Sequence, residues 1–324
     1  MQSLRVLPIA RTLTNVLLTR RIPSSVLTKL ESQCQVDLYP GGAIPHSELV
    51  LRIAGKQALL CLLTDRVDAE VMDASPSLAI IANIAVGYDN IDVAAARQRG
   101  IAVTNTPDVL TEATAEFTWA LILGIARRVA EADRAVRSGA WTGWALDYML
   151  GTELRGKQLG IIGAGRIGRA VAAKAPAFGM RVVFSQHPSA AAAGVDTLPL
   201  DQLLVTSDVI TIHAPLTAGM RHLLDKRTFA RMKRSALLVN TARGAIIDEA
   251  GLAWALQERL IAGAALDVYE DEPRVHPDLV TLDNVLLAPH IGSATRETRT
   301  AMADLAVRNV LAVLGGSEPL TPVP

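Results

Sequence analysis

Short apolar runs alternate with longer amphipathic stretches along most of the chain. In the first third, runs of strand length fall near residues 15–19, 35–39, 58–63, 78–85 and 101–104. A second series falls near residues 158–162, 181–185, 208–213, 236–241, 263–268 and 285–289. Such runs, separated by helix-length segments, are typical of parallel sheets with helices on both faces. The pattern therefore predicts an α/β protein with two doubly wound parallel sheets.

Two further segments of helix length define the expected domain limits. Residues 110–124, which include Phe117 and Trp119, are apolar on most faces and predict a buried helix that links domains or subunits. Residues 293–315 predict one helix, which we assign to the first domain. That domain is therefore expected to be discontinuous, 1–104 with 293–324, and the second domain to span 105–292.

Composition narrows the classes of function. The 324 residues exceed one ordinary core of about 150 residues, which favours two domains. The 32 basic and 32 acidic residues cancel, so no nucleic-acid partner is expected. No charge-free apolar run approaches the roughly 20 residues that cross a membrane, so no membrane partner is expected either. Cys34 and Cys61 are isolated, which predicts reduced, buried thiols in a cytoplasmic protein and no metal site.

The first 14 residues carry Arg5 and Arg11 and no acidic residue. They lack the apolar core and the small-residue cleavage site of a secretory signal. Since the first strand-like run begins only at Asn15, we expect a frayed N-terminal extension, with a transit peptide as the alternative.

A glycine motif opens the second series of strands. Gly163-Ala-Gly165-Arg-Ile-Gly168 directly follows a predicted strand and begins a predicted helix. In that context the first glycine permits a tight turn, the second lets a pyrophosphate approach the backbone, and the third lets helix and strand pack closely. The motif therefore predicts a Rossmann domain that binds a dinucleotide at the positive end of the helix.

The end of the next strand bears on the choice of cofactor. An Asp or Glu about 20 residues after the motif usually accepts a hydrogen bond from the ribose of NAD. Here the sequence reads Val182-Val-Phe-Ser185-Gln186-His187-Pro188, without an acid. Ser185, Gln186 and His187 could donate hydrogen bonds to a 2′-phosphate instead. We expect NADP or NAD, with NADP favoured, and dual use of both cofactors as the alternative.

Three ionisable residues follow consecutive predicted strands near the end of the second series. Arg243 lies in Asn240-Thr-Ala-Arg-Gly244, Glu272 in 266–273 and His290 in Ala288-Pro-His-Ile-Gly292. The carboxyl ends of parallel strands share one crevice, so the three side chains are expected to converge beside the cofactor. Taken singly, they could instead form a surface salt bridge, a helix cap and an ordinary loop hydrogen bond.

These blocks resemble the D-isomer-specific 2-hydroxyacid dehydrogenases, and the resemblance covers nearly the whole chain from about Asn15. Within that family the chain looks most like glyoxylate/hydroxypyruvate reductases. Besides the motifs above, the resemblance is carried by Asn83-Ile-Ala-Val86-Gly87-Tyr-Asp89-Asn90-Ile-Asp92 and Thr104-Asn-Thr-Pro107-Asp108. It implies a Rossmann cofactor domain at 105–292 and a flavodoxin-like substrate domain formed by the remaining two segments.

The resemblance also implies roles for individual residues. Arg243 would bind the carboxylate and carbonyl oxygen of a small 2-oxo or 2-hydroxy acid, and its planar guanidinium suits such a contact. His290 would be the acid/base and substrate-contacting residue, with Glu272 stabilising its protonated form. The backbone N–H groups of Val86 and Gly87 would bind the carboxylate from the other domain, so that reaction requires the cleft to close.

The expected cofactor contacts surround the glycine motif and the later strand ends. Asp267 would orient the nicotinamide carboxamide, and His213 lies near the adenine side, where structural packing is the alternative reading. The full set is Gly163, Gly165, Arg166, Ile167, Gly168, Ser185, Gln186, His187, His213, Ala214, Pro215, Thr241, Asp267 and Gly292. A homodimer built on the segment at about 110–150 is also implied.

Related enzymes with other activities differ from this chain at two of these positions. Formate dehydrogenases of this superfamily carry Gln where this chain has Glu272, and phosphite dehydrogenases carry Lys where it has Val86, which argues against both. A D-3-phosphoglycerate dehydrogenase is the alternative enzyme. A nicotinamide-sensing binding protein that resembles C-terminal binding protein, a corepressor, is the non-enzymatic alternative.

Overall fold

The computed structural model describes residues 13–187, 190 and 194–324. The described residues up to Leu110, together with Thr295–Pro324, form unit 1, and Thr111–Ala294 form unit 2. The predicted limits place the first boundary six residues earlier, at 104, and the second two residues earlier, at 293. The expected N-terminal extension lies outside the described residues, except for Leu13 and Thr14.

Unit 1 is built on a five-stranded parallel sheet of order β2-β1-β3-β4-β5, the flavodoxin-like order. Its strands are β1 (Thr14–Leu18), β2 (Cys34–Leu38), β3 (Ala58–Cys61), β4 (Ile80–Asn83) and β5 (Ala102–Thr104). Its helices are α1 (Ser24–Glu31), α2 (His46–Ile53), α3 (Ala69–Asp73), α4 (Val93–Gln98) and, after unit 2, α12 (Arg296–Leu314).

Every residue of β3 and β4 is buried, which is why these strands read as continuous apolar runs rather than as alternating ones. Helices α2, α3 and α4 contribute side chains to one apolar cluster with the strands. Helix α12 packs against β3, β4 and α1. The predicted C-terminal helix therefore does cover the first sheet.

Unit 2 is built on a seven-stranded parallel sheet of order β12-β11-β10-β9-β6-β7-β8. Its strands are β6 (Gln158–Ile162), β7 (Arg181–Ser185), β8 (Thr197–Leu198), β9 (Val209–Ile212), β10 (Leu237–Asn240), β11 (Gly263–Leu266) and β12 (Val285–Leu287). Its helices are α5 (Thr111–Ala126), α6 (Val129–Arg137), α7 (Arg166–Lys174), α8 (Leu200–Thr206), α9 (Lys226–Phe229), α10 (Glu249–Gln257) and α11 (Pro277–Val280).

Two apolar clusters cover the two faces of this sheet. Helices α8 to α11 contribute to one cluster, and helices α5 and α7 contribute to the other. Trp119 of α5 donates from its indole nitrogen to the carbonyl oxygen of Val171 in α7 at 3.0 Å and stacks on Phe178. The predicted fold class, α/β with two parallel sheets, is confirmed.

The predicted strands are all present, with ends that differ by at most two residues. The two-residue strand β8 was not predicted, because so short a segment shows no periodicity. Within the described part of the chain, no helix is long and apolar enough to cross a membrane.

Candidate active site

The predicted site residues of unit 2 follow the strands of one sheet. Gly163 follows β6, Ser185 ends β7, His213 follows β9, Arg243 follows β10, Asp267 follows β11 and His290 follows β12. Because all seven strands are parallel, these positions share the carboxyl edge of the sheet. The strand order reverses between the adjacent β6 and β9, and such a switch point is where doubly wound sheets bind their ligands.

The glycine motif has the geometry of a phosphate cradle. Gly163 adopts φ +107°, and a Cβ there would lie 2.5 Å from the carbonyl oxygen of His213. A Cβ at Gly168 would overlap the carbonyl oxygen of Gly163, so the first turn of α7 can approach β6 only without a side chain. Apart from its immediate surroundings along the chain, no heavy atom of the described residues lies within 4 Å of a Cβ built on Gly165. The motif thus combines two close backbone contacts with one open position.

The start of α7 offers backbone donors. Gly165 is its N-cap, no side chain caps it, and its first turn contains no acidic residue. Arg166 is exposed, and Ile167 packs against the core. The first N–H groups of the helix, with the positive end of its dipole, suit a negatively charged phosphate.

The end of β7 carries polar groups and no carboxylate between Val182 and His187. Ser185 is 9% exposed, whereas Gln186 and His187 are exposed. The backbone N–H of Gln186 donates to the carbonyl oxygen of Leu198 at 2.8 Å, which fixes the strand end and leaves the side chain outside the sheet. Pro188 lies outside the described residues.

The turn after β9 backs the glycine motif. The His213 backbone N–H donates to the carbonyl oxygen of Ile162 at 2.7 Å, and its Nε2 lies 2.9 Å from Oγ1 of Thr211. Burial lowers the pKa of His213 to about 3, so its ring is neutral. Ala214 is half-buried and Pro215 is exposed. His213 therefore brings no positive charge to a phosphate, and its packing role has direct geometric support.

Glu272 and His290 form a hydrogen-bonded pair. Oε2 of Glu272 lies 2.8 Å from Nδ1 of His290, and each side chain is 27% exposed. Oε1 of Glu272 accepts from the backbone N–H of Tyr269 at 3.1 Å. Burial raises the pKa of the Glu272 carboxyl, but the hydrogen bond and charge of His290, the Tyr269 N–H and the charge of Arg243 together hold it below its ordinary value. Glu272 is thus an anion that orients the ring and leaves Nε2 for other partners.

Asp267 fixes the loop that carries His290. His290 adopts a left-handed backbone conformation, φ +55°, which costs roughly 1–2 kcal/mol in a residue with a Cβ. Asp267 is fully buried, and its two oxygens accept from the backbone N–H groups of Ile291 at 2.7 Å and Gly292 at 2.8 Å. Burial raises the pKa of Asp267, against the effect of these two hydrogen bonds. The nicotinamide contact of Asp267 stays a prediction, and the loop anchorage is an additional role.

The loop after β10 positions Arg243 through its own backbone. Buried Asn240 donates from Nδ2 to the carbonyl oxygen of Arg243 at 2.9 Å and accepts from the N–H of Ala242 at 3.0 Å. Thr241 places its hydroxyl 3.0 Å from that of Thr118 in α5. The half-buried Arg243 side chain donates to the carbonyl oxygen of Ala242 at 2.8 Å. Its charge is one of those that lower the pKa of Glu272.

Three supporting residues were not predicted from the sequence. A Cβ at Gly244 would overlap the peptide between Tyr269 and Glu270, so the Arg243 loop rests directly on the Glu272 loop. Buried Glu249 accepts from the N–H of Glu270 at 2.7 Å, and the Tyr269 hydroxyl donates to the carbonyl oxygen of Ala288 at 2.8 Å. The glycine next to Arg243 was the only signal available for any of these contacts.

The predicted substrate loop belongs to unit 1. Val86 and Gly87 follow β4 and are half-buried. Their N–H groups donate to no acceptor among the described residues. Unpaired N–H groups on successive residues are an arrangement that binds anions.

One group in unit 1 has metal-ligating atoms close together. Single ligand atoms of His46, Asp68 and Glu70 lie within 4.8 Å of one another. However, Asp68 already accepts from the backbone N–H of Val71 and pairs with Arg66 at 3.1 Å. Asp68 therefore caps the start of α3 and pairs with Arg66 and His46.

Comparison with known proteins agrees with this geometry. Residues 119–292 match the family model of the D-isomer specific 2-hydroxyacid dehydrogenase, NAD binding domain. The chain therefore belongs to the D-isomer specific 2-hydroxyacid dehydrogenases, and the predicted class, a nicotinamide-dependent dehydrogenase, is confirmed.

Three proteins are similar to this chain over nearly its whole length. It is 47% identical to a glyoxylate reductase of Korarchaeum cryptofilum, over 94% of each chain. The TT0316 protein of Thermus thermophilus superposes with a TM-score of 0.90 at 46% identity, over 96% of this chain and 100% of that one. An NADPH-dependent glyoxylate/hydroxypyruvate reductase of Sinorhizobium meliloti, solved with NADP and malonate, superposes with a TM-score of 0.86 at 34% identity, over 96% and 97%.

Proposed function

We propose that this dehydrogenase reduces glyoxylate and hydroxypyruvate to the corresponding D-2-hydroxy acids. The observation that carries the proposal is the 2.8 Å pair of Glu272 and His290, placed with Arg243 at neighbouring strand ends of a dinucleotide-binding sheet. The names of the relatives from Korarchaeum and Sinorhizobium support this substrate class.

Each member of the trio has a task in this reaction. A bound nicotinamide would supply the hydride that reaches C2 of the oxo acid. His290 donates its Nε2 proton to the carbonyl oxygen, while Glu272 holds Nδ1 and stabilises the protonated ring. Arg243 binds the substrate carboxylate and polarises the carbonyl. In the oxidative direction His290 accepts the proton instead.

The residues of the glycine motif fit the pyrophosphate of a dinucleotide. Open space at Gly165 and the uncapped start of α7 would receive the phosphates. The absence of a carboxylate at the end of β7, where Gln186 and His187 are exposed, supports NADPH as the favoured cofactor. Both NADPH and NADH remain substrates in this proposal.

In unit 1, the free N–H groups at Val86 and Gly87 support their assignment to the substrate carboxylate. They would bind it without a charged side chain. This assignment stays a prediction until ligand binding is measured.

We also infer a homodimer. Between α6 and β6, a segment without helix exposes large apolar side chains: Trp141 is 52% exposed, and Trp144 and Leu146 are 82% exposed. Exposed apolar groups of this density support a protein contact. Light scattering at micromolar concentration tests the inference, and a monomer would contradict it.

A cytoplasmic location is likewise our proposal. It is supported by Cys34 and Cys61, which are free, buried thiols, because disulfides are rare in reducing compartments. Cell fractionation with a detection tag tests it.

The decisive experiment measures initial rates of NADPH and NADH oxidation with glyoxylate, hydroxypyruvate, pyruvate and 3-phosphohydroxypyruvate. We expect the first two acids to react fastest, with NADPH at least equal to NADH. Preference for the phosphorylated acid would favour the 3-phosphoglycerate dehydrogenase alternative. Cofactor binding without turnover of any acid would favour the nicotinamide-sensing alternative.

A further inference from the structure

The loop after β4 is held by side-chain amides. Nδ2 of Asn105 donates to the carbonyl oxygen of Val86 at 2.7 Å. Nδ2 of Asn83, which is fully buried, donates to the carbonyl oxygen of Gly87 at 2.8 Å. The N–H of Thr106 donates to the carbonyl oxygen of Ala85 at 2.8 Å. Three successive carbonyl groups are thus turned toward donors of unit 1.

This arrangement determines where the N–H groups point. In a planar trans peptide the N–H points opposite to the carbonyl. The carbonyls of Ala85, Val86 and Gly87 share their peptides with the N–H groups of Val86, Gly87 and Tyr88. Those three N–H groups therefore point away from the donors that hold the carbonyls. They donate to no acceptor among the described residues.

Asn105 is itself fixed by the segment that follows α12. The hydroxyl of Thr321 donates to the carbonyl oxygen of Asn105 at 2.7 Å, and the Asn105 N–H donates to the carbonyl oxygen of Thr321 at 3.3 Å. Fully buried Asn309 donates to the Thr321 hydroxyl at 2.9 Å and accepts from the Thr321 N–H at 3.0 Å. An unbroken series of hydrogen bonds runs from Asn309 to Val86.

We propose that Asn105, supported by Thr321 and Asn309, is a positioning residue that keeps the Gly87 N–H, which lies between those of Val86 and Tyr88, aimed at a carboxylate. The inference rests on the proposed function and assigns to it residues that touch neither substrate nor cofactor. Neutral amides suit this task, because they fix the loop without adding a charge that would repel or compete with the anion. Losing the Asn105 amide frees the peptide that joins Val86 to Gly87, and the Gly87 N–H is no longer held in one direction.

The chain offers a closely matched control. The hydroxyl of buried Thr104, next to Asn105, has no hydrogen-bond partner within the described ranges. Thr321→Val removes a hydroxyl that links Asn309 to Asn105, whereas Thr104→Val removes one that links nothing. Asn105→Leu removes the amide with little change in size or charge.

The test uses the whole protein labelled with ¹⁵N-tyrosine and titrated with oxalate, a non-reacting analogue of a 2-oxo acid. The chain has four tyrosines, so the Tyr88 N–H gives one of four signals, assigned with Tyr88→Phe. We expect the Tyr88 signal to shift on binding. Asn105→Leu should weaken oxalate about tenfold and Thr321→Val about threefold, as for the loss of one good or one indirect hydrogen bond. Thr104→Val should match the parent protein.

Kinetics with glyoxylate separate positioning from general damage. Asn105→Leu should raise KM for glyoxylate much more than it lowers kcat, with KM for NADPH unchanged. Unchanged oxalate affinity in Asn105→Leu, no Tyr88 shift in the parent protein, or equal losses in the two threonine variants would overturn the proposal. If the parent protein turns over no 2-oxo acid but Asn105→Leu still weakens oxalate, the proposed function fails and the positioning role stands.

Discussion

The strand-end loops of the two units use backbone groups and side chains in opposite ways. In unit 2, ionisable side chains face the site and backbone N–H groups hold them: Tyr269 donates to Glu272, and Ile291 and Gly292 donate to Asp267. In unit 1, the backbone of the 86–88 loop offers N–H groups, and the amides of Asn83 and Asn105 hold its carbonyls.

This difference corresponds to two kinds of work. In the proposed reaction, proton transfer needs groups that change charge, and His290 with Glu272 would supply them in unit 2. In the same proposal, recognition of a carboxylate needs only donors in fixed directions, and the N–H groups of the 86–88 loop in unit 1 would supply them. The five changes below test each side of the comparison, from the largest expected effect to the smallest.

Removing the charge at the unit 2 site should have the largest effect. Arg243→Ala is expected to lower kcat/KM for glyoxylate. The loss corresponds to transition-state stabilisation on the order of 3 kcal/mol. Arg243→Lys should recover only part of this loss, because an ammonium cannot make the paired contact of a guanidinium. Steady-state kinetics measure both, and near-normal turnover of the alanine variant would refute the role of Arg243.

Breaking the support beneath Arg243 comes next. The Cβ in Gly244→Ala would overlap the Tyr269–Glu270 peptide, so we expect about 1–3 kcal/mol of destabilisation from overpacking and a reduced kcat. At Gly219 a Cβ meets no other part of the described chain within 4 Å, so Gly219→Ala is the control. Thermal unfolding and kcat should change in the first variant only. Equal unfolding temperatures and equal kcat values in the two variants would show that the Arg243 loop does not rest on the Glu272 loop.

Neutralising Glu272 should change the pH dependence. Its pKa is lowered in the folded protein, so its ionised form contributes stability that is present above the unfolded value of about 4.3 and lost as pH falls through the lower, folded value. In Glu272→Gln this loss of stability at low pH should be absent from unfolding curves measured at a series of pH values.

The same variant should change the pH profile of reduction, because His290 loses the carboxylate beside its Nδ1. We expect the reduction rate to fall at lower pH in the variant than in the parent protein. Rate profiles of parent and variant between pH 5 and 9 measure this shift. Superimposable profiles would contradict the assigned pair.

The cofactor end offers a smaller change. Gln186→Asp adds a carboxylate where NAD-binding domains usually carry one, so the ratio of kcat/KM for NADPH to that for NADH should fall by roughly tenfold. Gln186→Asn is the neutral control. An unchanged ratio in the Asp variant would count against the placement of the ribose at this strand end.

The smallest effect, an increase in the stability of the folded protein, is expected in unit 1. Thr106 is fully buried, and its hydroxyl has no partner within the described part of the chain, so Thr106→Val should stabilise the protein by about 1 kcal/mol. Thr19 is equally buried but donates to Asp65 at 2.5 Å, so Thr19→Val should destabilise it. Urea unfolding measures both changes in stability. Stabilisation or destabilisation by both variants alike would contradict the hydrogen-bond partners given to these two hydroxyls.

The unit 2 side of the comparison was predictable from the sequence, and the unit 1 side only in part. Arg243, Glu272 and His290 stand out because ionisable residues interrupt apolar runs at strand ends. The glycine motif stands out because its spacing encodes backbone contacts that the structure shows at Gly163 and Gly168.

The supporting contacts could not be found in this way. Asn105 and Thr321 are 216 positions apart, and nothing in either local sequence signals the other. Asp267 binds backbone groups 24 and 25 residues later, and a backbone donor leaves no trace in the residue type. Long-range contacts to the main chain are the part of a site that patterns of residue type do not encode.

The position of α12 has a consequence for how the protein is made. This helix covers β3 and β4, yet 185 residues separate its start, Arg296, from the first residue of unit 2, Thr111. At 5–20 residues per second, a ribosome needs roughly 10–40 s to synthesise that interval. Unit 2 is continuous and can fold as it emerges, whereas the nascent first sheet must wait for its cover. Chaperones that shield apolar surface during translation therefore have most to protect in the part of the chain that is made first.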